Sequence, residues 1–440
     1  MKSLLIDGGH IIDPAQRINE IGSIFIADGK VSWLGTGEAA PTQSDYDVLP
    51  ARGLVVSPGF IDFHCHLRQP GFEEKETIAT GTRAAARGGF TTICCMPNTN
   101  PPLDNQTAID YVKSTAAKEG VVRVLPIGCI SRGRQGKGLA EMGELAASGV
   151  IGYSDDGDPV ADSRLMRQAL EYSRTFGLPV IEHCEDTALT EGGLMNEGII
   201  ATRLGLHGIP AAAEEVIVNR DLALAQFTEA WLHIAHVSTE GSVELVRRAK
   251  EKGIRVTAEV TPHHLTLTDE KVIGYDTNAK VSPPLRTSRD IKALIQGLNE
   301  NVIDIIATDH APHHEIDKLC EFGTAAFGIS GFETALGSLM SLVHNGQLSL
   351  AVLIAKLTHE PAKIIGGKYG EMGTLEIGSP ADITLIDPNL EWVVDTRIFA
   401  SKGKNTPLNG SKLKGKVMTT VSQGEIVYKD DTVRIEVGRS

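Results

Sequence analysis

Residues of metal-ligand type recur in this chain at one kind of place, the downstream end of a short apolar run. His64 and His66 form an H-x-H pair after "GLVVSPGFIDF", Asp155 and Asp156 follow "GVIGYS", and His183 closes "LPVIEH". His236 falls in "WLHIAHVS" and Asp309 in "VIDIIATDHAPHH". Imidazole and carboxylate ligands without thiolates suit Zn2+ or a similar divalent ion in a site kept open to water. A single histidine near a strand end is more often a hydrogen-bonded structural residue than a ligand. Such groups at the ends of five runs are hard to attribute to chance. The chemistry they allow is metal-assisted activation of water.

An extended backbone sends residues i, i+2 and i+4 to one face. His64, His66 and Arg68 are therefore expected on one side of their strand, with Cys65 and Leu67 facing away. The planar fork of Arg68 could grip a carboxylate there; its structural alternative is an ion pair with a neighbouring carboxylate. Asp155 and Asp156 must point to opposite faces, so only one can easily serve the site. The residues alone do not say which. His233 precedes His236 by three positions and falls on the opposite face, and His10, His207, His263, His264, His344 and His359 read as structural.

Elements must bring these distant residues together. From Gly53 to about Lys363, short β-rich runs alternate with amphipathic stretches such as "DSRLMRQALEYSRTFG". There Leu165, Ala169 and Tyr172 fall at i, i+4 and i+7, Asp162 or Ser163 can cap the start, and Gly177 can end it. Strand-helix alternation predicts parallel pairing with right-handed crossovers. Roughly eight such units predict an α/β fold, a (β/α)8 TIM barrel, whose strands present their carboxyl ends on one face where active sites are built. An open doubly wound sheet is the alternative, weakened by the lack of a glycine-rich phosphate fingerprint after the first strand. The flanks differ: "LLIDGGHIIDP", "GSIFIADGKVSWLG", "GTLEIGSPADITLIDP" and "KGKVMTTVSQGEIVYKD" are short strands broken by turn signals. They predict one small β-sandwich-like domain formed by both termini, residues 1–53 and 364–440, with the barrel, residues 54–363, inserted in it.

Composition sets the class of partner. The 440 residues are 41% hydrophobic and 22% charged, with no apolar run long enough to span a bilayer and no basic-apolar-small leader at the start. A soluble, cytoplasmic protein is expected. A formal charge of −14 argues against nucleic acid, whose phosphates would be repelled, and leaves a small molecule as the expected partner. The six cysteines show no paired C-x-x-C spacing and read as reduced, with Cys65 a packing residue.

H-x-H after the first strand, two later strand-end histidines and a closing Asp resemble the amidohydrolase superfamily. "HCHLRQPG", "MPNTNPP", "TDHAPH", "FGISGFET" and the flanking "GTLEIGSPADITLID" together resemble the bacterial class I dihydroorotases. H-x-H and the closing Asp are shared with hydantoinases and allantoinases, but those usually bridge two metals with a carboxylated lysine, and no lysine occurs in "GVIGYSDDGDPV". The resemblance implies two zinc ions per subunit: one on His64 and His66, one on His183 and His236, Asp156 bridging them, and Asp309 touching the first and acting as acid and base. It implies substrate contacts at His66, Leu67, Arg68, Asn98, Ser282 and His313, with backbone groups at Phe327 and Gly328 closing over the ring. Ser282 is a departure, since "KVSPPLR" has serine where the family leads one to expect Asn; a hydroxyl can still donate and accept, but it is shorter. The implied activity is dihydroorotase: a metal-activated hydroxide reversibly opens L-dihydroorotate to N-carbamoyl-L-aspartate, in pyrimidine (UMP) biosynthesis. The implied partners are a second copy in a homodimer and an aspartate transcarbamoylase. The other readings are a hydantoinase- or allantoinase-type enzyme, a non-catalytic scaffold for aspartate transcarbamoylase, and a metal- or ligand-binding protein without chemistry.

Overall fold

The apolar run over residues 54–63 is two strands rather than one. In the computed structural model, which describes residues 2–36 and 46–437, Val55–Pro58 pairs with Ser3–Asp13 and with Ile383–Val393. The chain then turns at Gly59, where a Cβ would lie 2.2 Å from Thr91 Oγ1, and Phe60–Cys65 opens a separate parallel set. Proline and glycine at the junction break the run even though its hydrophobicity is continuous.

Phe60–Cys65 pairs in parallel with Phe90–Cys95, and that strand with Arg123–Pro126. Single parallel bridges carry the order on from Gly128 to Tyr153 and from Tyr153 to Val180. Val180–Glu182, Leu232–Ile234, Val256–Val260 and Ile305–Ile306 follow as parallel neighbours. A last parallel bridge, Cys65 with His310, sets the final segment beside the first. Helices fill the connections. Ser163–Arg174 is one: Asp162 caps it by accepting from the Arg164 and Leu165 amides, and Leu165, Met166, Ala169 and Leu170 are buried. Tyr172, expected on that stripe, is 41% exposed, and the helix ends at Arg174, before Gly177 reverses the chain at φ +68.

Ile61 and Phe63 pack with Ile151, Ile181, Ala235 and Ile305 inside this set of strands, whereas Cys65 packs with the helices. The register against Phe90–Cys95 shifts between Asp62 and Cys65. That irregularity changes the face presented inward, so His64 and His66 continue a wall that Ile61 and Phe63 begin.

Both chain ends build one nine-stranded sheet. Ser3–Asp13 pairs with Ile18–Ala27, and this strand joins Lys30–Gly35 through a tight turn with Asp28 at φ +51 and Gly29 at φ +75. Ile383–Val393 pairs with Lys412–Ser422 on the other side of Val55–Pro58. Among the described residues no helix is long and apolar enough to cross a membrane.

Candidate active site

The predicted ligands sit at or just past the ends of their strands, Asp156 three residues past the single bridges of Tyr153, and the cyclic order of these segments brings them into one cluster. His64 Nε2 lies 3.3 Å from Asp156 Oδ1 and His66 Nε2 lies 3.5 Å from Asp156 Oδ2. His236 Nε2 and His183 Nδ1 lie 3.6 and 3.8 Å from Asp156 Oδ1 and 2.8 Å from each other. Asp309 Oδ1 is 2.9 Å from His66 Nε2 and 3.6 Å from His64 Nε2. Two ligand groups result, His64–His66–Asp156 and Asp156–His183–His236, with Asp156 common to both. All five are buried, and His64 Nε2 and Asp156 Oδ1 have no hydrogen-bond partner within the protein. Buried, unpartnered nitrogen and oxygen atoms converging without thiolates suit divalent metal ions.

Outer partners fix how the rings face. His64 Nδ1 bonds Glu259 Oε1 at 2.6 Å, and the other oxygen of that fully buried carboxylate lies 3.2 Å from His233 Nε2. His66 Nδ1 donates to Asn98 Oδ1 at 2.9 Å, and His183 Nε2 to Glu185 Oε2 at 3.2 Å. These bonds direct the remaining ring nitrogens of the three histidines at the shared centre. His236 and Asp309 hold left-handed backbone angles, φ +32 and +45, a strain of order 1–2 kcal/mol per residue that the packed surroundings must sustain.

Charge is distributed to match. Burial would raise the Asp156 carboxyl, but His64, His236 and His66 outweigh it and hold it well below the usual carboxylate range. Asp309 is lowered against burial by His66, His64 and His236. Burial would lower His64, yet the Asp156 and Glu259 carboxylates push it well above an ordinary imidazole. The cluster thus draws positive charge into a buried pocket, as protons on its rings or as cations.

A cavity of about 340 Å3 opens over this centre, lined by His66, Arg68, Asn98, Asp156, His183, Glu185, His236, Ser282, Asp309, His313, Phe327 and Gly328. Arg68 reaches it by a route different from the expected one. The strand stops at Cys65 and Arg68 turns through φ +62, so a left-handed turn, not strand alternation, aims its side chain. Its Nε donates to Pro312 O at 3.2 Å, and among the described residues it forms no ion pair with a carboxylate. Leu67 does not line the cavity; its side chain is buried in the helix-facing core and would meet a Cβ on Gly81 at 2.5 Å. Asn98 serves the cavity while holding His66. The backbone at Phe327 and Gly328 is largely engaged: Phe327 O accepts from His313 Nε2 at 2.8 Å, Gly328 N donates to Lys280 O at 2.9 Å, and Gly328 O accepts from Asn405 Nδ2 at 3.0 Å. Gly328, at φ +139, approaches so closely that a Cβ would lie 2.9 Å from Ala311 and 3.0 Å from His313 Nε2. Burial first, then Arg68, pushes the His313 imidazole down to about 3, so it meets a ligand as a neutral ring.

Sequence reasoning misses Glu259, Glu185 and Arg134. Glu259 is a lone acid inside the apolar run "IRVTAEV", a placement that asks for a buried partner. Glu185 lies two residues after His183, and Arg134 donates to the carbonyl oxygens of both Asp155 and Asp156; a lone loop residue of either kind carries no local signal.

A family model described as "Dihydro-orotase-like" matches residues 53–242, and one described as "Amidohydrolase family" matches residues 200–428. The curated Dihydroorotase of Geobacter sp. (strain M21) is 51% identical over 97% of this chain and 99% of its own length. That of Thermoanaerobacter sp. (strain X514) is 54% identical over 90% of this chain and 91% of its own. Among solved structures, L-hydantoinase (dihydropyrimidinase) from Arthrobacter aurescens aligns with a TM-score of 0.87 at 24% identity, covering 99% of this chain and 98% of that one, a likeness of fold alone. Identity at this level along nearly the whole chain, together with the amidohydrolase match, places the chain in the dihydroorotase family of amidohydrolases.

Proposed function

We propose that the protein is a zinc-dependent dihydroorotase, interconverting L-dihydroorotate and N-carbamoyl-L-aspartate in the cytoplasmic synthesis of pyrimidines. The observation that carries this reading is the joining of two ligand groups through Asp156 beneath a cavity lined by Arg68, which has no carboxylate partner among the described residues. A ring amide over the ligands and a ring carboxylate at the guanidinium describe dihydroorotate; hydantoins and dihydropyrimidines lack the carboxylate. We read the cyclic parallel order as a (β/α)8 barrel and the two chain ends as a second small domain, with the first boundary at Gly59 and the second near residue 364.

His64, His66, His183, His236 and Asp156 would hold two zinc ions, with Asp309 beside the first. Bound there, the ions supply acidity to the attacking water and polarise the amide carbonyl. Asp309, kept ionised, takes a proton from that water and delivers it to the ring nitrogen as the carbon-nitrogen bond breaks; ring closure reverses these transfers. Arg68 forms paired hydrogen bonds with the carboxylate, and Asn98 Nδ2 and neutral His313 complete that end of the cavity.

Metal analysis joined to turnover on dihydroorotate, dihydrouracil and hydantoin tests the reading. Zinc with strong preference for dihydroorotate is the expected result. Preference for the neutral rings would point to a hydantoinase-type enzyme, and zinc without turnover to a scaffold or binding protein.

A further inference from the structure

The Ser282 hydroxyl is committed before any ligand arrives. It donates to Glu185 Oε2 at 3.1 Å, the oxygen that also accepts from His183 Nε2 at 3.2 Å. Glu185 Oε1 accepts from Thr190 Oγ1 at 2.7 Å. A hydroxyl carries one hydrogen, so Ser282, having given it to Glu185, can accept from a bound molecule but cannot donate to one. An asparagine could do both.

Glu185 needs such anchoring. Its side chain is 24% exposed at the cavity wall, and a long carboxylate at a wet surface samples several rotamers unless hydrogen bonds restrict it. The two hydroxyls leave it one orientation, facing His183. With Nε2 carrying the proton, His183 turns its Nδ1 lone pair inward, 2.8 Å from His236 Nε2.

We propose that Ser282 and Glu185 are positioning residues for the second metal site: Ser282 and Thr190 fix the Glu185 carboxylate, which fixes the ring and tautomer of His183. Position 282 in this chain therefore acts on metal retention through Glu185. The inference rests on the metal-dependent reading above and concerns binding of zinc rather than turnover.

Zinc affinity, measured by competition with a chromophoric chelator, tests it directly. Loss of an outer partner of a metal-bound histidine costs about 10–100-fold in affinity, so Glu185→Ala should weaken one of two zinc ions by that amount and Ser282→Ala should weaken the same ion severalfold. Glu185→Gln, whose amide oxygen still accepts from His183, should recover part of the loss. The Glu185→Ala/Ser282→Ala double variant should bind no more weakly than Glu185→Ala alone, because the hydroxyl acts through the carboxylate. At limiting zinc the Ser282→Ala defect should fall on kcat, through the loaded fraction, and not on KM. Unchanged zinc affinity with a raised KM would assign the hydroxyl to the substrate and overturn the proposal, as would additive losses in the double variant. A wild-type protein that binds two zinc ions yet leaves dihydroorotate intact would overturn the functional reading alone, with the zinc measurements still deciding this one.

Discussion

Asp155 and Asp156 are chain neighbours that point to opposite sides of one segment. Asp155 Oδ1 accepts from the Ile130 and Ser131 amides at 2.9 and 3.1 Å, while its Oδ2 accepts from the Ser131 hydroxyl. Asp156 turns inward, its Oδ1 within 3.8 Å of nitrogens on His64, His183 and His236. One carboxylate closes a loop, and the other closes the ligand set.

Asp156→Ala should therefore lose most bound metal, because it removes the one anion common to both ligand groups. Asp155→Ala should keep its metal and lose stability, by about 1–3 kcal/mol for the amides left without an acceptor. Metal analysis and denaturant melts on both variants separate the roles, and equal metal loss would sink the assignment.

Asp309→Asn removes the proton carrier with little change of shape. Asparagine tolerates the left-handed region better than most residues, so φ +45 at this position is preserved and most metal should stay. Turnover should fall about 10²–10⁴-fold, the usual contribution of a positioned acid-base group. An active variant that retains metal would move the acid-base role elsewhere.

The candidate ligands are legible in the chain because metal chemistry restricts residue type and parallel strands restrict where such residues can meet. His64, His183 and Asp309 could be read from "HCH", "IEHC" and "ATDH" without knowing what lay between them. Arg68 was found for a reason the fold does not use, since a left-handed turn does what strand alternation was expected to do. Glu259 stayed hidden because its role depends on His64, 195 residues away, and on His233, which strand periodicity sets on the face opposite His236 but which packs on the inward-facing Phe63, ring centroids 4.9 Å apart, because His236 breaks the alternation at φ +32. The run over residues 54–63 read as one strand because hydrophobic pattern does not register the choice of partner sheet; Gly59 and its approach to Thr91 do.

Glu333 offers a pH test away from the candidate metal ligands. Burial is the main cause that pushes its carboxyl up to about 7, against lowering by the Ala400 amide, Arg87 and the Ser401 amide. The folded protein then binds a proton more tightly than the unfolded chain, so this group's contribution to stability is full below the unfolded value near 4.5 and is lost as pH rises to about 7. Glu333→Gln removes the titration. The unfolding constant of wild type relative to the variant should rise by up to about tenfold per pH unit within that window and level off above it. A ratio independent of pH between 4.5 and 7 would show that Glu333 titrates normally.

Arg68 should separate a carboxylate-bearing ring from its neutral relatives. Its Nε is engaged with Pro312 O, its side chain lines the cavity, and among the described residues no carboxylate pairs with it. The expected structural alternative, an ion pair with a neighbouring acid, is therefore absent from the described residues. Burial lowers the guanidinium to about 10, with Asp309 and Asp156 opposing that shift, so it is still cationic at neutral pH. Truncating one partner of a desolvated, hydrogen-bonded charge pair costs about 2–5 kcal/mol, and Arg68→Met should lower kcat/KM on dihydroorotate accordingly. Dihydrouracil, the same ring without the carboxylate, should lose little of any weak activity. The decisive quantity is the ratio of kcat/KM for the two rings in wild type and variant. A ratio unmoved by the substitution would mean that the guanidinium holds the loop at Pro312 and does not read the substrate.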